Sequence, residues 1–385
     1  MRNGARWKRA LPGTFALLML LAGNAFGGGY YDPSTFDRQK AYDFLETVEQ
    51  SVGSEAYEKL RPEYGMHLAL RLGPIDLYSM TPGVFAEHIR LTQEVEKRFY
   101  TKRPLDEEQV KQYLLPLRIR YEHTSKPQWR SVLSKQFSPL IEKTKTTDEA
   151  VGVIAGWMRK NLKLLGSPTA YRIPMRGDLA PLAVLQGKEG SEIDQAIFGV
   201  AALRTVGVAC RLAWAPILRG EIGGKFWVEY LDEDHAWKVW VPSFGEAGDH
   251  RALLKKRFGG KMIVVLTHPD EPVQITASYV DTVEIRMAES FSNQPMTLLA
   301  LGKEGLIPAF GLEENRLDES TVFHAGRGPV FVAVSIGKLD KTLLRLDPAP
   351  DARLIEIALQ DGRAVIVPKA PASLSPQPQS SPNPP

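Results

Sequence analysis

Residues 190–212 read GSEIDQAIFGVAALRTVGVACRL, and this stretch decides the fold that the sequence predicts. From Glu192 to Arg204 apolar residues recur on every side, which is typical of a buried helix rather than of one with a single solvated face. Ser191 stands three residues before Asp194, the spacing of a capping box at a helix N-terminus. We therefore predict a buried central helix that begins after Ser191.

The sequence changes character after Gly207. The segments VACRLAWAP (208–216), KFWVEYL (225–231) and AWKVWVP (236–242) are rich in valine and aromatic residues and are separated by glycine and aspartate turns. This pattern is typical of consecutive β-strands. We expect the central helix to pack on an antiparallel sheet.

The flanking segments complete an α+β fold class. Apolar residues recur at three-to-four spacing from Asp37 to about Leu140, and again in residues 148–165 after Thr146 and Thr147, which suit an N-cap. Short strand-like runs separated by Gly, Asn or Asp fill residues 275–347. We expect a signal peptide at 1–27, a helical region at 28–140, a core at 141–272 and a β-sandwich at 273–347. Residues 348–385 are expected to hold a short apolar pair and then a disordered Pro- and Ser-rich tail.

The N-terminus has the order of a secretory signal. Four cations precede the apolar run LPGTFALLMLLA (11–22), and small residues follow it. The formal net charge of the 385-residue chain is +3, and removal of those four cations lowers it to −1. A nearly neutral chain without a basic run lacks the charge pattern of a nucleic-acid-binding protein. No later segment approaches transmembrane length. We expect a secreted or periplasmic protein.

Cofactor chemistry has no recognisable motif in this sequence. The seven histidines form no HxH or HxxxH pair, and no GxxxxGK[ST] or GxGxxG phosphate-binding motif is present. We expect no metal site and no cofactor. The one cysteine, Cys210, lies within a predicted buried strand, where a thiol usually behaves as a small apolar residue.

Residues Thr146 to Pro269 resemble the transglutaminase-like superfamily, in particular its secreted bacterial branch with a β-sandwich after the core. The central helix, its leucine-arginine end, the glycine turn and the KFWVEYL strand match the landmarks of that family in order. The resemblance implies a papain-like core in which a helix packs on an antiparallel sheet.

The same resemblance implies a catalytic cysteine, histidine and aspartate, and all three positions differ here. They fall on Glu192, Lys225 and Val241, with Ser243 or Phe244 in the third place if the register slips. A lysine with its ordinary pKa of about 10 cannot act as a base at neutral pH. We therefore expect no catalysis of the family type, an ion pair between Glu192 and Lys225, and a polypeptide or cell-envelope partner.

Alternative interpretations stay open at this point. Ser191, His235 and Asp249 could form a relocated hydrolase triad, and Glu192 could act as a general base. The protein could instead be a structural module of the cell envelope. Trp227 and Trp237 flank the altered site in sequence and are our candidate binding residues.

Overall fold

The structure, a computed structural model, describes residues 38–72, 76, 79–120, 122, 127–165, 178–221, 224–245, 248–268, 272–288, 296–303, 305–312, 322–336, 340–349, 351–360 and 363–367. These residues fall into two compact units. The first takes described residues from 1–215, 222–257 and 265–273, and the second from 216–221, 258–264 and 274–385. The predicted signal peptide and the Pro- and Ser-rich tail lie outside the described residues.

The first unit begins with helices, as predicted. They are α1 (Arg38–Val52), α2 (Ser54–Glu58), α3 (Pro62–Ala69), α4 (Pro82–Val95), α5 (Glu107–Tyr113), α6 (Trp129–Phe137) and α7 (Thr147–Asn161). Side chains cap three of them: Thr81 accepts from Val84 N, Asp106 forms a capping box with Gln109, and Thr146 accepts from Glu149 N. Within the described residues, no helix is both long enough and apolar enough to cross a membrane.

The predicted central helix is α9 (Glu192–Thr205), which follows α8 (Pro181–Gly187). Every residue of α9 after Glu192 is buried, and Ser191 and Asp194 form the predicted capping box. The strands β1 (Lys163–Leu164) and β2 (Glu189–Gly190) pair in parallel just before it. The end of β2 therefore leads directly into the N-terminus of α9.

Helix α9 packs against a five-stranded sheet of order β5-β4-β3-β6-β7. Its strands are β3 (Cys210–Ala215), β4 (Lys225–Leu231), β5 (Trp237–Trp240), β6 (Leu266–Thr267) and β7 (Val273–Gln274). Strand β4 is antiparallel to both β3 and β5, with Ala215 opposite Lys225 and Leu231 opposite Trp237. A glycine permits the close packing: a Cβ atom on Gly199 of α9 would lie 2.8 Å from the Trp240 ring. The mixed α+β class with a papain-like core is confirmed.

Buried side chains hold the last residue of α5 and the segment that follows it. The backbone carbonyls of six consecutive residues each accept a hydrogen bond from a side chain. The acceptors are Tyr113 (from Arg204 Nε, 3.1 Å), Leu114 (from Arg130 Nη2, 2.6 Å), Leu115 (from His88 Nε2, 2.7 Å), Pro116 (from Arg204 Nη1, 3.2 Å), Leu117 (from Trp129 Nε1, 3.2 Å) and Arg118 (from Arg204 Nη1, 3.4 Å). Residues 114–118 lie outside the helices and strands, so these bonds satisfy their backbone carbonyls.

Helix α10 (Arg251–Phe258) belongs to the first unit as far as Arg257. The second unit contains two four-stranded sheets. The sheet of order β11-β8-β14-β15 comprises β8 (Thr282–Met287), β11 (Val322–Gly326), β14 (Leu354–Gln360) and β15 (Arg363–Val367). The sheet of order β10-β9-β12-β13 comprises β9 (Met296–Gly302), β10 (Gly305–Leu312), β12 (Val330–Ile336) and β13 (Asp340–Leu346). Alternate residues of β8 are buried, so one face of that sheet is in a core.

Candidate functional site

The first turn of α9 and the first residue of β4 bring Glu192 and Lys225 together. Lys225 Nζ donates to Glu192 Oε1, and the two side chains are only 13% and 18% exposed. Glu192 lies at the positive end of the helix dipole, which favours its carboxylate. The ion pair expected from the sequence is present.

The third member of this site is Ser243 rather than Val241. Ser243 lies in a 3₁₀ turn (Pro242–Phe244) directly after β5, donates its hydroxyl to Glu192 Oε1, and lies 3.4 Å from Lys225 Nζ. Val241 is fully buried, and its backbone N–H donates to His250 Nδ1 at 3.0 Å. Val241 therefore does not reach the ion pair, whereas Ser243, one of its two stated alternatives, does, because the chain turns after β5.

An aromatic ring lies beside the Glu192–Lys225–Ser243 site. Lys225 Nζ lies 5.3 Å from the Phe244 ring centroid, and the Arg257 guanidinium carbon lies 4.7 Å from the same centroid. Both distances are within the range of cation–π attraction. The three polar side chains thus bond to one another beside an aromatic ring.

Asp249 and His250 complete the outer edge of β5. Val239 N donates to Asp249 Oδ1 at 3.1 Å, and His250 N donates to the Val239 carbonyl at 2.7 Å. With the bond from Val241 N to His250 Nδ1, these contacts replace the neighbouring strand that an edge otherwise lacks. Asp249 and His250 therefore have a structural explanation in the backbone of β5.

The relocated triad of Ser191, His235 and Asp249 is not assembled. Ser191 Oγ donates to Asp194 Oδ2 at 2.8 Å. His235 lies in the turn beyond the opposite end of β4 from Lys225, a span of about 20 Å at the usual rise per strand residue. Its ring contacts the Arg103 carbonyl and the Gln109 side chain, at 2.9 and 3.3 Å.

The two candidate binding tryptophans have different surroundings. Trp227 is fully buried in β4, so it cannot face a ligand, and that prediction is wrong. Strand alternation alone did not reveal that both faces of β4 are covered. Trp237 is half-buried and pairs with Leu231, at the far end of β4 from Lys225, so it does not line the altered site.

The remaining chemical groups of the core are inert or dispersed. Cys210 is fully buried, and burial raises the pKa of its thiol to about 12. Among the described residues, no group of three or more His, Cys, Asp and Glu side chains could hold a metal ion. The expectation that the protein needs no cofactor stays a prediction.

Comparison with known proteins supports the resemblance. Residues 135–242 match the model of the transglutaminase-like superfamily core. No curated protein matches. Two solved structures show distant similarity. One is a candidate cysteine protease from Cytophaga hutchinsonii (11% identity, 71% of this chain and 66% of that chain, TM-score 0.29), and the other is a candidate protease from Parabacteroides distasonis (12%, 57% and 49%, TM-score 0.29).

The chain thus spans just under two thirds of the first of these structures and half of the second. At a TM-score of 0.29, neither similarity identifies a fold or an activity for this chain. The family model and the arrangement of α9, β3, β4 and β5 agree with each other. This chain contains a transglutaminase-like superfamily domain, matched over residues 135–242.

Proposed function

We propose that this protein is a non-catalytic relative of the secreted bacterial transglutaminase-like proteins, and that it binds a polypeptide or cell-envelope partner. One observation carries the proposal: Glu192 and Lys225 stand where the resemblance places the catalytic cysteine and histidine, and they bond to each other and to Ser243, an alternative for the third place. The place of the site in the fold is retained, but the residue types that catalysis in the family needs are replaced.

The bonding pattern within the site argues against amide chemistry of the family type. That chemistry needs a thiolate or an activated hydroxyl beside a base that a third group orients. Here the carboxylate of Glu192 accepts from both neighbours, and the Lys225 ammonium is a donor with no lone pair to accept a proton. Both charged side chains are largely buried against each other, so little of either is left for a substrate.

A second candidate function rests on the contact between Ser243 and Glu192. A hydroxyl that donates to a carboxylate resembles a nucleophile and its general base, so a hydrolase that uses Ser243 is the catalytic alternative. Lys225 is the obstacle, because it neutralises the carboxylate that would act as the base. In a third interpretation, the protein is a structural module of the cell envelope. Its site would be non-catalytic in the same way, but it would bind no soluble partner.

The experiment compares turnover in four forms of the purified protein without its first 27 residues. The substrates are a labelled peptide library, a set of chromogenic amides, and a fluorescent primary amine with a glutamine-containing protein. The forms are the wild type, Ser243→Ala, Ser191→Ala and the triple variant Glu192→Cys, Lys225→His and Ser243→Asp. We expect no turnover in the first three forms.

The triple variant is the positive control for the scaffold. Its introduced thiol sits at a helix N-terminus beside an imidazole, which lowers a thiol pKa. We expect it to react with iodoacetamide near pH 6, where an ordinary cysteine is slow. If the wild type shows turnover and Ser243→Ala abolishes it, the protein is a hydrolase that uses Ser243. If only Ser191→Ala abolishes the turnover, the relocated triad with Ser191 is supported.

The proposed location outside the cytoplasm rests on the order of residues 1–27. Expression of the full chain in a Gram-negative host, followed by fractionation and mass determination of the N-terminus, tests it. We expect a periplasmic or released product that has lost the apolar run at 11–22. A cytoplasmic product that begins at Met1 would contradict this expectation.

A further inference from the structure

A cluster of half-buried side chains lies on the first unit, away from the Glu192–Lys225–Ser243 site. It consists of Tyr113, Arg211, Trp237 and His268, and we call it the donor cluster. The Arg211 guanidinium carbon lies 4.0 Å from the Trp237 ring centroid. The Tyr113 and Trp237 rings meet edge to face at 4.9 Å, and the Tyr113 and His268 rings are 5.8 Å apart. Three rings and one guanidinium thus converge on one place.

Most of the hydrogen-bonding groups in the donor cluster are unused. Arg211 donates only through Nε, to Glu229 Oε2 at 2.7 Å, and its two Nη groups have no partner among the described residues. The Tyr113 hydroxyl, the Trp237 indole N–H and the His268 ring likewise bond to no residue that the structure describes. None of these polar atoms is both buried and without a partner, so they reach solvent and are accessible to a ligand.

The local charge is positive. Arg211 and Arg251 share one carboxylate, that of Glu229, at 2.7 and 3.9 Å, and the Glu229 side chain is 2% exposed. Arg251 also donates to the Trp237 carbonyl at 3.0 Å, which fixes the backbone beneath the indole ring. The charges of Arg204 and Arg71 also act on the His268 ring, so the surroundings of that ring are positive.

His268 adds a neutral imidazole to this charged surrounding. Burial, followed by the charges of Arg211, Arg204 and Arg71, lowers the pKa of His268 to about 4. Its backbone is in the left-handed region at a φ of 57°, which is unfavourable for a non-glycine residue and is often found at binding sites. A neutral imidazole offers one donor and one acceptor.

We propose that the donor cluster binds a carboxylate of an acidic polypeptide segment. This inference rests on the proposed function, to which it adds the location and the chemistry of the partner. The two Nη groups of Arg211 form a planar fork that matches the two oxygens of a carboxylate. The positive surroundings of the cluster favour an anionic ligand. The Tyr113 and Trp237 rings supply apolar walls for the neighbouring side chains of the segment.

The test follows the indole N–H signal of Trp237 by NMR in the otherwise intact mature protein, labelled at its tryptophans. Trp237→Phe assigns that signal by its disappearance. The probe is the peptide Ac-Ala-Glu-Glu-Ala-NH2, and the matched control is Ac-Ala-Gln-Gln-Ala-NH2. We expect a saturable shift of the Trp237 signal with the glutamate peptide and binding at least about tenfold weaker with the glutamine peptide.

Arg211→Lys is the central variant, because it keeps a cation beside the buried Glu229 and removes the fork. We expect it to weaken binding of the glutamate peptide about tenfold, while the signals of the buried Trp214 and Trp240 stay unchanged and report an intact fold. Asp270→Asn combined with Glu271→Gln removes the two carboxylates that follow His268 in sequence. Equal or tighter binding in that variant supports an external ligand, whereas loss of binding overturns the proposal.

Three other results overturn the donor cluster as a carboxylate site. They are equal affinity for the two peptides, full affinity in Arg211→Lys, and displacement of the glutamate peptide by inorganic phosphate at lower concentration than by acetate. None of these results concerns catalysis. Turnover by the wild type would refute the proposed function and leave this site unaffected, so the two failures can be told apart.

Discussion

Ser243 Oγ lies 3.4 Å from Lys225 Nζ, and both groups donate to the same oxygen of Glu192. The residues come from three places: the first turn of α9, the start of β4 and the turn after β5. The first two are the places where the resemblance puts the catalytic cysteine and histidine, and the turn after β5 holds an alternative for the third. The scaffold therefore still brings these positions together, while the side chains now satisfy one another.

The ion pair between Glu192 and Lys225 is expected to stabilise the fold only as a unit. Lys225→Met removes the cation and leaves a largely buried carboxylate with Ser243 as its remaining partner, so the free energy of unfolding should fall by about 2–4 kcal/mol. Glu192→Gln combined with Lys225→Met should recover most of that loss, because no charge is then left unpaired. Urea unfolding of the two single variants and the double variant measures the coupling.

A matched control for that cycle is the exposed pair of Lys59 and Glu55 on α2. These side chains are 71% and 87% exposed, and pairs of this kind contribute little. Lys59→Met should leave the unfolding midpoint nearly unchanged. Equal effects of Lys225→Met and Lys59→Met would show that the pair in the site is solvated and weak.

The sequence was sufficient for the parts of the fold that local signals specify. Helix α9 could be predicted because an apolar run follows a serine three residues before an acidic residue, and both signals are contained in fifteen consecutive residues. The pairing of Glu192 with Lys225 could be predicted because each begins its element, and the family arrangement brings those two ends together.

Other parts of the site depend on contacts that spacing does not encode. Val241 was expected in the third position because it stands four residues after Trp237, and the choice between it and Ser243 or Phe244 depended on the 3₁₀ turn at Pro242, which brings Ser243 to the ion pair. The free donors around Arg211 involve Tyr113, about a hundred residues earlier in the chain. The sequence indicated these donors only through an arginine, Arg211, within an otherwise apolar strand. The role of this arginine becomes clear only from the side chains packed around it.

Cys210 is expected to be unreactive in the folded protein. It is fully buried, and its thiol pKa of about 12 leaves a negligible thiolate fraction near pH 8. Iodoacetamide should leave the native mass unchanged and add one carbamidomethyl group in guanidinium chloride. Rapid alkylation of the native protein would show that β3 opens readily and would reopen a chemical role for the thiol.

The contact between Gly199 and Trp240 should tolerate no added methyl group. In Gly199→Ala the new Cβ would meet the Trp240 ring at 2.8 Å, so we expect a loss of about 1–3 kcal/mol in unfolding free energy. Adding Trp240→Phe shortens the ring, and the double variant should lose less than the sum of its two single variants.

Gly156 in α7 offers the matched control for that experiment. A Cβ there would meet nothing within 4 Å, so Gly156→Ala should stabilise the protein by about 0.5–1 kcal/mol. Thermal and urea unfolding of the set measures both effects. Destabilisation by Gly156→Ala as large as by Gly199→Ala would mean that helix flexibility, rather than the Trp240 contact, explains the result.

Buried histidines should make the stability of the first unit fall in mild acid. The pKa values of His67 and His268 are each lowered to about 4, in both cases chiefly by burial and then by neighbouring cations. The unfolded chain, with its ordinary histidine pKa of about 6.5, takes up protons first as the pH falls. The histidine contribution to the free energy of unfolding therefore decreases from about pH 7 towards pH 4 and is flat above that range. His268→Gln should reduce the loss of unfolding free energy between pH 7 and pH 5 by about 1–2 kcal/mol relative to the wild type.

Urea unfolding at several pH values measures the pH dependence of this free energy. The control is His324→Gln, at an exposed histidine of the second unit, which should leave the pH dependence unchanged. An identical slope in His268→Gln and the wild type would show that His268 is solvated, which would also remove the neutral imidazole from the donor cluster.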